Sequence, residues 1–259
     1  MLRGIVTAMR TLTILPVPGR DADRMSDALP WFPLVGCLIG STLYWLARGF
    51  SLVSGDWHEG TAGIVIIGSV LLTRGFHLDG LADWADGFGG GRDKEQTLTI
   101  MKDSHVGAFG VVTIVLVLLA KWMALLRLLE VGSFHWIISA YIVSRTAMVE
   151  LAVRLPYARA EGGTGEPFVV GGRFSHRVGA LFFSLISLFA SSALAGLILL
   201  GGGLIACWLL GFWFRRHFGG VTGDLLGACC ELVETGLLFS CAITGHRLSQ
   251  FASWRVISL

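Results

Sequence analysis

Apolar positions recur along the chain in blocks at about 31–53, 61–76, 106–129, 133–153, 178–200, 204–214 and 225–244. Blocks of this length predict seven membrane-spanning helices, or six, because the 204–214 stretch is short. That stretch reaches spanning length only by annexing the Gly201 to Gly203 turn and the Arg215-Arg216 end, which predicts a tilted, bent or re-entrant element. The first residues follow a different pattern. Leu2, Ile5, Val6, Met9 and Leu12 fall at helical spacing with Arg3, Thr7 and Arg10 off that stripe, and no continuous apolar region precedes a cleavage site. The reading is an interfacial helix within a 1–30 segment rather than a signal peptide. The expected architecture is all-α: a polytopic transmembrane bundle of about six or seven spanning helices plus that N-terminal helix, one integral membrane domain over residues 1–259 with no visible internal repeat.

Composition narrows the function classes. Charged residues make up 15% of the chain against roughly 25% in soluble domains, while hydrophobic residues reach 54%. Disorder and a solvated globule are excluded. A formal net charge of +2 gives no reason to expect a nucleic-acid partner, so the expected environment is the lipid bilayer. Arg3, Arg10, Arg20 and Arg24 precede the first span and no Lys or Arg lies between Ser54 and Gly60, which predicts a cytoplasmic N-terminus. Crossing span by span, segments 77–105, 154–177 and 215–224 fall on the same side, the cytoplasmic face of a prokaryotic inner membrane. The five Cys lie in apolar surroundings with no CxxC pair and read as small core side chains. The pattern is compatible with a homo-oligomer and does not require one.

Candidate chemistry concentrates in the first of these segments. Six of the eighteen carboxylates fall between residues 79 and 103. Asp79, Asp83 and Asp86 share a helical arc of about 60°, so three carboxylates sit on one face and their repulsion calls for a cation. Oxygen donors select a hard ion, Mg²⁺ or Mn²⁺ as substitute, rather than Zn²⁺, and no EF-hand pattern supports Ca²⁺. Arg92, Lys94 and Lys102 follow closely, as expected if the metal handles an anionic diphosphate, although Lys94 reads better as a membrane anchor. The bland alternative is a solvated acidic loop.

A second cluster, Gly219 to Asp224, opens the last apolar helix, where Thr222 and Asp224 are substrate-side candidates and Glu231 recurs on the face of Asp224 two turns later. Asp224 or Thr222 as an N-cap is the structural alternative. Glu231 and Glu234 read either as a second ligand set or as partners for a buried Arg such as Arg145. In the turn-rich 154–177 connection, Arg159 is a candidate phosphate or carboxylate contact.

Four ordered motifs resemble one family: F-H-L-D-G-L-A-D-W-A-D-G at Phe76 to Gly87, I-M-K-D-S-H-V-G-A-F-G at Ile100 to Gly110, P-Y-A-R at Pro156 to Arg159, and G-G-V-T-G-D-L-L-G-A at Gly219 to Ala228. The chain is similar over nearly its whole length to the adenosylcobinamide-GDP ribazoletransferases, or cobalamin synthases. The resemblance implies a multi-pass Mg²⁺-dependent phosphotransferase of cobamide nucleotide-loop assembly. Such an enzyme joins α-ribazole or its 5'-phosphate to adenosylcobinamide-GDP and releases GMP. A ribose hydroxyl is then expected to attack the corrinoid-side phosphorus, with metal on Asp79, Asp83 and Asp86. Asp86 or Asp103 is the expected base and Lys102 a further catalytic group, while Arg92, Arg159, Thr222 and Asp224 contact substrate.

Two other readings remain. The CDP-alcohol phosphotransferases share a related pattern, DG-x2-AR followed by G-x3-D-x3-D, but this chain departs from it at Asp83 and lacks the downstream D-x3-D. A cation transporter would spread its acids through the bundle midplane, whereas here a third of them cluster in one segment.

Overall fold

The computed structural model describes residues 2–248. In these residues the chain is helical, with one isolated parallel bridge, Tyr157 to Val221, in place of any sheet. Helix α1 (Leu2–Leu12) turns its small-residue face, Gly4, Thr7, Ala8 and Leu12, onto the protein. Leu2 stays exposed, as an interfacial helix requires. Arg3 to Asp23 and Arg10 to Asp21, both 2.8 Å, pin the return loop across it. A 3-10 turn (Met25–Trp31) then leads into α2 (Phe32–Ser54).

Helix α7 (Trp136–Arg154) is the central post, buried along almost its full length. Around it stand α2, α9 (Phe174–Phe218) and α10 (Gly223–Leu248), with α6 (Ala108–Glu130) packed on the far side of α10. Their outer faces expose large apolar side chains such as Leu52, Leu116, Leu119 and Phe189, the surface expected against acyl chains.

Helix α9 has 45 residues, about 68 Å if straight and twice the thickness of a bilayer core. Its contacts show a reversal instead. Arg177 bonds Glu150 and Ser184 meets Thr146, so the first half runs down α7; Cys207 then reaches the Ala147 carbonyl and Arg154 the Trp208 carbonyl, so the second half runs back. Two apolar spans result, Phe174–Ser191 and Ala195–Phe218. The short 204–214 block is thereby extended in both directions, with the expected Gly201 to Gly203 turn lying within helix.

Among the described residues, six helical spans are long and apolar enough to cross a membrane. Helix α3 (His58–Thr73) returns the chain toward its starting end and breaks by 89° into α4 (Phe76–Gly90); the two lie outside those six and, counted as one bent span, make a seventh. Arg74 (φ 56°) and Gly75 (φ 62°), both left-handed, make that corner. The 77–86 stretch is therefore more than a connection: Leu78, Leu81, Ala82 and Ala85 bury one face of α4 in the bundle, which packs against α10 and α6.

A charged network ties α6, α7 and α10 together. Lys121 Nζ lies 2.6 Å from both Glu231 and Glu234, and Glu234 also pairs with Arg145. All four side chains are buried, and the two cations match the two carboxylates. Of the two readings of Glu231 and Glu234, pairing with a buried Arg and Lys is the one formed, and Glu231 is engaged here rather than with Asp224.

Candidate functional site

Helix α4 meets the start of α10 at very close range. A methyl group at Gly80 would lie 2.8 Å from the Asp224 carbonyl oxygen, so only glycine permits this approach. Asp79 and Asp83, flanking Gly80, are thereby brought beside Asp224. Asp79 is exposed and Asp83 half-buried.

The entry to α10 is held by the neighbouring loop. Val221 N–H donates to Pro156 (2.9 Å) and Ala158 N–H to Val221 (2.9 Å), which places Arg159 over α10. Arg159 Nη2 donates to Asp224 Oδ2 at 2.8 Å, and its Nε is buried without a partner. Thr222 takes the capping role, accepting from Leu225 N–H at 3.2 Å, and its hydroxyl lies 3.3 Å from the same Asp224 oxygen. Asp224 is thus released from capping and becomes the partner of Arg159. Burial, then the charges of Asp224 and Asp79, push the Asp83 carboxyl up to about 7, with Arg159 acting in the opposite sense.

The remaining expected residues stand elsewhere. Asp86 is buried and turned to the start of α6, where its two oxygens accept from Gly107 N–H (2.7 Å) and Gly110 N–H (2.9 Å). The carboxylate satisfies the free amides at that helix start, which occupies the group expected as ligand and base. Asp103 is exposed and closes a local turn with His105, whose ring nitrogen (2.6 Å) and backbone N–H (3.0 Å) hold its carboxyl below the usual carboxylate range. Lys102 pairs across the rim with Glu161 at 3.6 Å, both exposed, and so links the 77–105 and 154–177 segments. Arg92 and Lys94 are exposed. All three segments expected to converge do so at one end of the bundle.

Among the described residues, no three His, Cys, Asp or Glu side chains form a ready metal cage. Mg²⁺ does not need one, because it binds through one or two carboxylates and completes its shell with water and phosphate oxygens. Asp79 and Asp83, crowded and open to solvent on one side, have the donor chemistry for that arrangement. The buried amide-capping role of Asp86 had a signal in sequence, two glycines three residues apart at the head of an apolar block. The Lys121 pairing also had one, a Lys inside the 106–129 apolar block matching two acids inside the 225–244 block.

The cobalamin-5-phosphate synthase family model matches residues 4–242. An adenosylcobinamide-GDP ribazoletransferase of Chlorobaculum parvum is 46% identical over 246 residues, covering 94% of this chain and 96% of the relative. Relatives of the same name are 47% identical over 246 residues in Chlorobium chlorochromatii (94% and 97% covered) and 40% identical over 243 residues in Syntrophobacter fumaroxidans (91% and 96% covered). No solved structure matches the chain.

Proposed function

The chain belongs to the cobalamin-5-phosphate synthase family, and we propose that it transfers α-ribazole or its 5'-phosphate to adenosylcobinamide-GDP, releasing GMP, on the cytoplasmic face of a prokaryotic inner membrane. The observation that carries the site assignment is the meeting of Asp79, Asp83, Arg159 and Asp224 from three separated segments at the Gly80 contact.

In this reading a ribose hydroxyl forms a new bond to the corrinoid-side phosphorus while the bridging oxygen departs with GMP. Asp224 takes the hydroxyl proton at Oδ1, because Arg159 and Thr222 both address Oδ2 and hold the carboxylate in place. Arg159, with its Nε unpartnered, meets the charge of the diphosphate. Asp79 and Asp83 would hold Mg²⁺, which when bound neutralises charge developing on the phosphate oxygens. Arg92 and Lys102 supply positive charge at the rim during substrate approach.

The test is an assay of purified protein in nanodiscs with adenosylcobinamide-GDP and α-ribazole. GMP and corrinoid product are expected in equal amounts, lost with chelator and restored by Mg²⁺ or Mn²⁺. Release of CMP from a CDP-alcohol, with no GMP formed from the corrinoid, would overturn the reading in favour of a head-group transferase.

A further inference from the structure

A cavity of about 270 Å³ opens behind the carboxylate edge, between α7, α8 (Glu166–Val170), the start of α10 and the head of α2. Its walls are mostly apolar, with Phe32, Met148, Ala152, Phe168 and Leu226 contributing; Arg74, Thr11 and Thr73 also line it, and no Asp or Glu does. Thr164, Gly165 and Gly223 form the side nearest the site. Gly223 immediately precedes Asp224, and Gly165 packs directly on it: a methyl at Gly165 would lie 2.7 Å from the Gly223 Cα. The cavity and the carboxylate edge therefore share one wall.

Resting on the transferase reading above, we infer that this cavity receives the aromatic base of the ribazole and sets which bases the enzyme accepts. Size is the first reason. An apolar cavity of about 150 Å³ takes benzene, so 270 Å³ suits a fused two-ring base. Polarity is the second. A benzimidazole is flat and largely apolar, matching walls that include the Phe32 and Phe168 rings, 5.9 Å apart. Guanine would bring N1–H and amino donors to walls that hold no carboxylate, with Arg74 able to meet only its O6 and N7 acceptors. Position is the third. A base seated here leaves its ribose at the Gly223 wall, next to the carboxylate proposed to take the hydroxyl proton.

The inference predicts opposite changes from filling and from enlarging the cavity. In nanodiscs, Ala152→Leu should raise KM for α-ribazole by about tenfold or more and shift kcat/KM toward nucleosides with smaller bases, the scale of added methylene groups in a tight pocket. KM for adenosylcobinamide-GDP should stay within about twofold. Met148→Ala should shift preference toward larger bases, such as a naphthimidazole riboside. Equilibrium binding of α-ribazole, followed by its own fluorescence, should weaken in Ala152→Leu, a reading independent of turnover. If Ala152→Leu does not fold, the Met148→Ala selectivity decides alone. Unchanged base selectivity, or an effect on the corrinoid diphosphate or on lipid content instead, overturns the inference while leaving wild-type GMP release intact. Failure of the transferase reading shows separately, as wild-type protein that releases no GMP.

Discussion

Replacing Lys121 by Met keeps an unbranched side chain and deletes one buried charge. Lys121, 2.6 Å from Glu231 and from Glu234, is 6% exposed, and Glu234 is 1% exposed. The substitution leaves two buried carboxylates facing one guanidinium, and breaking a buried pair in this way costs about 3–5 kcal/mol. Against a total stability of about 5–15 kcal/mol for a domain, that is a large fraction. Removing Glu231's charge as well restores balance, since Glu234 keeps Arg145. Lys121→Met with Glu231→Gln should therefore recover about half the loss or more, as a coupling of roughly 2 kcal/mol. Unfolding in mixed micelles of increasing SDS content, followed by tryptophan fluorescence, measures both variants. GMP release by the double variant at a permissive temperature should stay near wild type. A single-variant loss below about 1 kcal/mol, or a double variant no more stable than the single, would refute the charge-balance reasoning. A Glu231→Gln protein that is stable but inactive would return Glu231 to the catalytic site.

Three further outcomes are expected. Because Asp83 must be ionised to bind a cation and its pKa lies near 7, activity should fall as pH drops through that range, and more Mg²⁺ should move the acid limb to lower pH by competing with the proton; a limb indifferent to Mg²⁺ would count against Asp83 as a ligand. Asp86→Asn should chiefly lower stability, by about 1–3 kcal/mol, because an amide cannot accept from both Gly107 and Gly110; Asp93→Asn should be mild, since Asn caps α5 (Lys94–Ile100) as well as Asp does, and equal effects at the two positions would refute this assignment. Single cysteines introduced at residues 93 and 219 should react from the same side of sealed vesicles, the cytoplasmic one, and reaction from opposite sides would break the convergent-site geometry.

Much of the bundle was legible because apolar block length survives in any packing. The blocks at 133–153 and 225–244 correspond closely to α7 and α10. The separate blocks at 178–200 and 204–214 anticipate the reversal within α9 but misplace it, since Gly201 to Gly203 reads as a turn in sequence yet lies inside the second span, Ala195–Phe218. Helical periodicity puts Asp79, Asp83 and Asp86 on one face but says nothing of their height along the axis. Asp86 stands about 10 Å along the axis from Asp79, far enough to meet α6 instead of α10. Arg159 and Asp224 were each readable as substrate-side groups, but no periodicity encodes a pairing across 65 residues. The same holds for Lys121, whose partners lie 110 and 113 residues away.

The central claim, that Asp79 and Asp83 form a metal-holding edge for phosphoryl transfer, is tested most directly by changing ligand softness. Asp79→Cys replaces a hard oxygen with a thiolate that favours Zn²⁺ or Cd²⁺ over Mg²⁺. GMP release by the purified variant should be lost with Mg²⁺, by about a hundredfold or more, and substantially regained with Cd²⁺, while wild type shows the reverse preference. Near-normal GMP release by Asp79→Cys with Mg²⁺, or equal loss with every metal in a folded protein, would contradict the assignment.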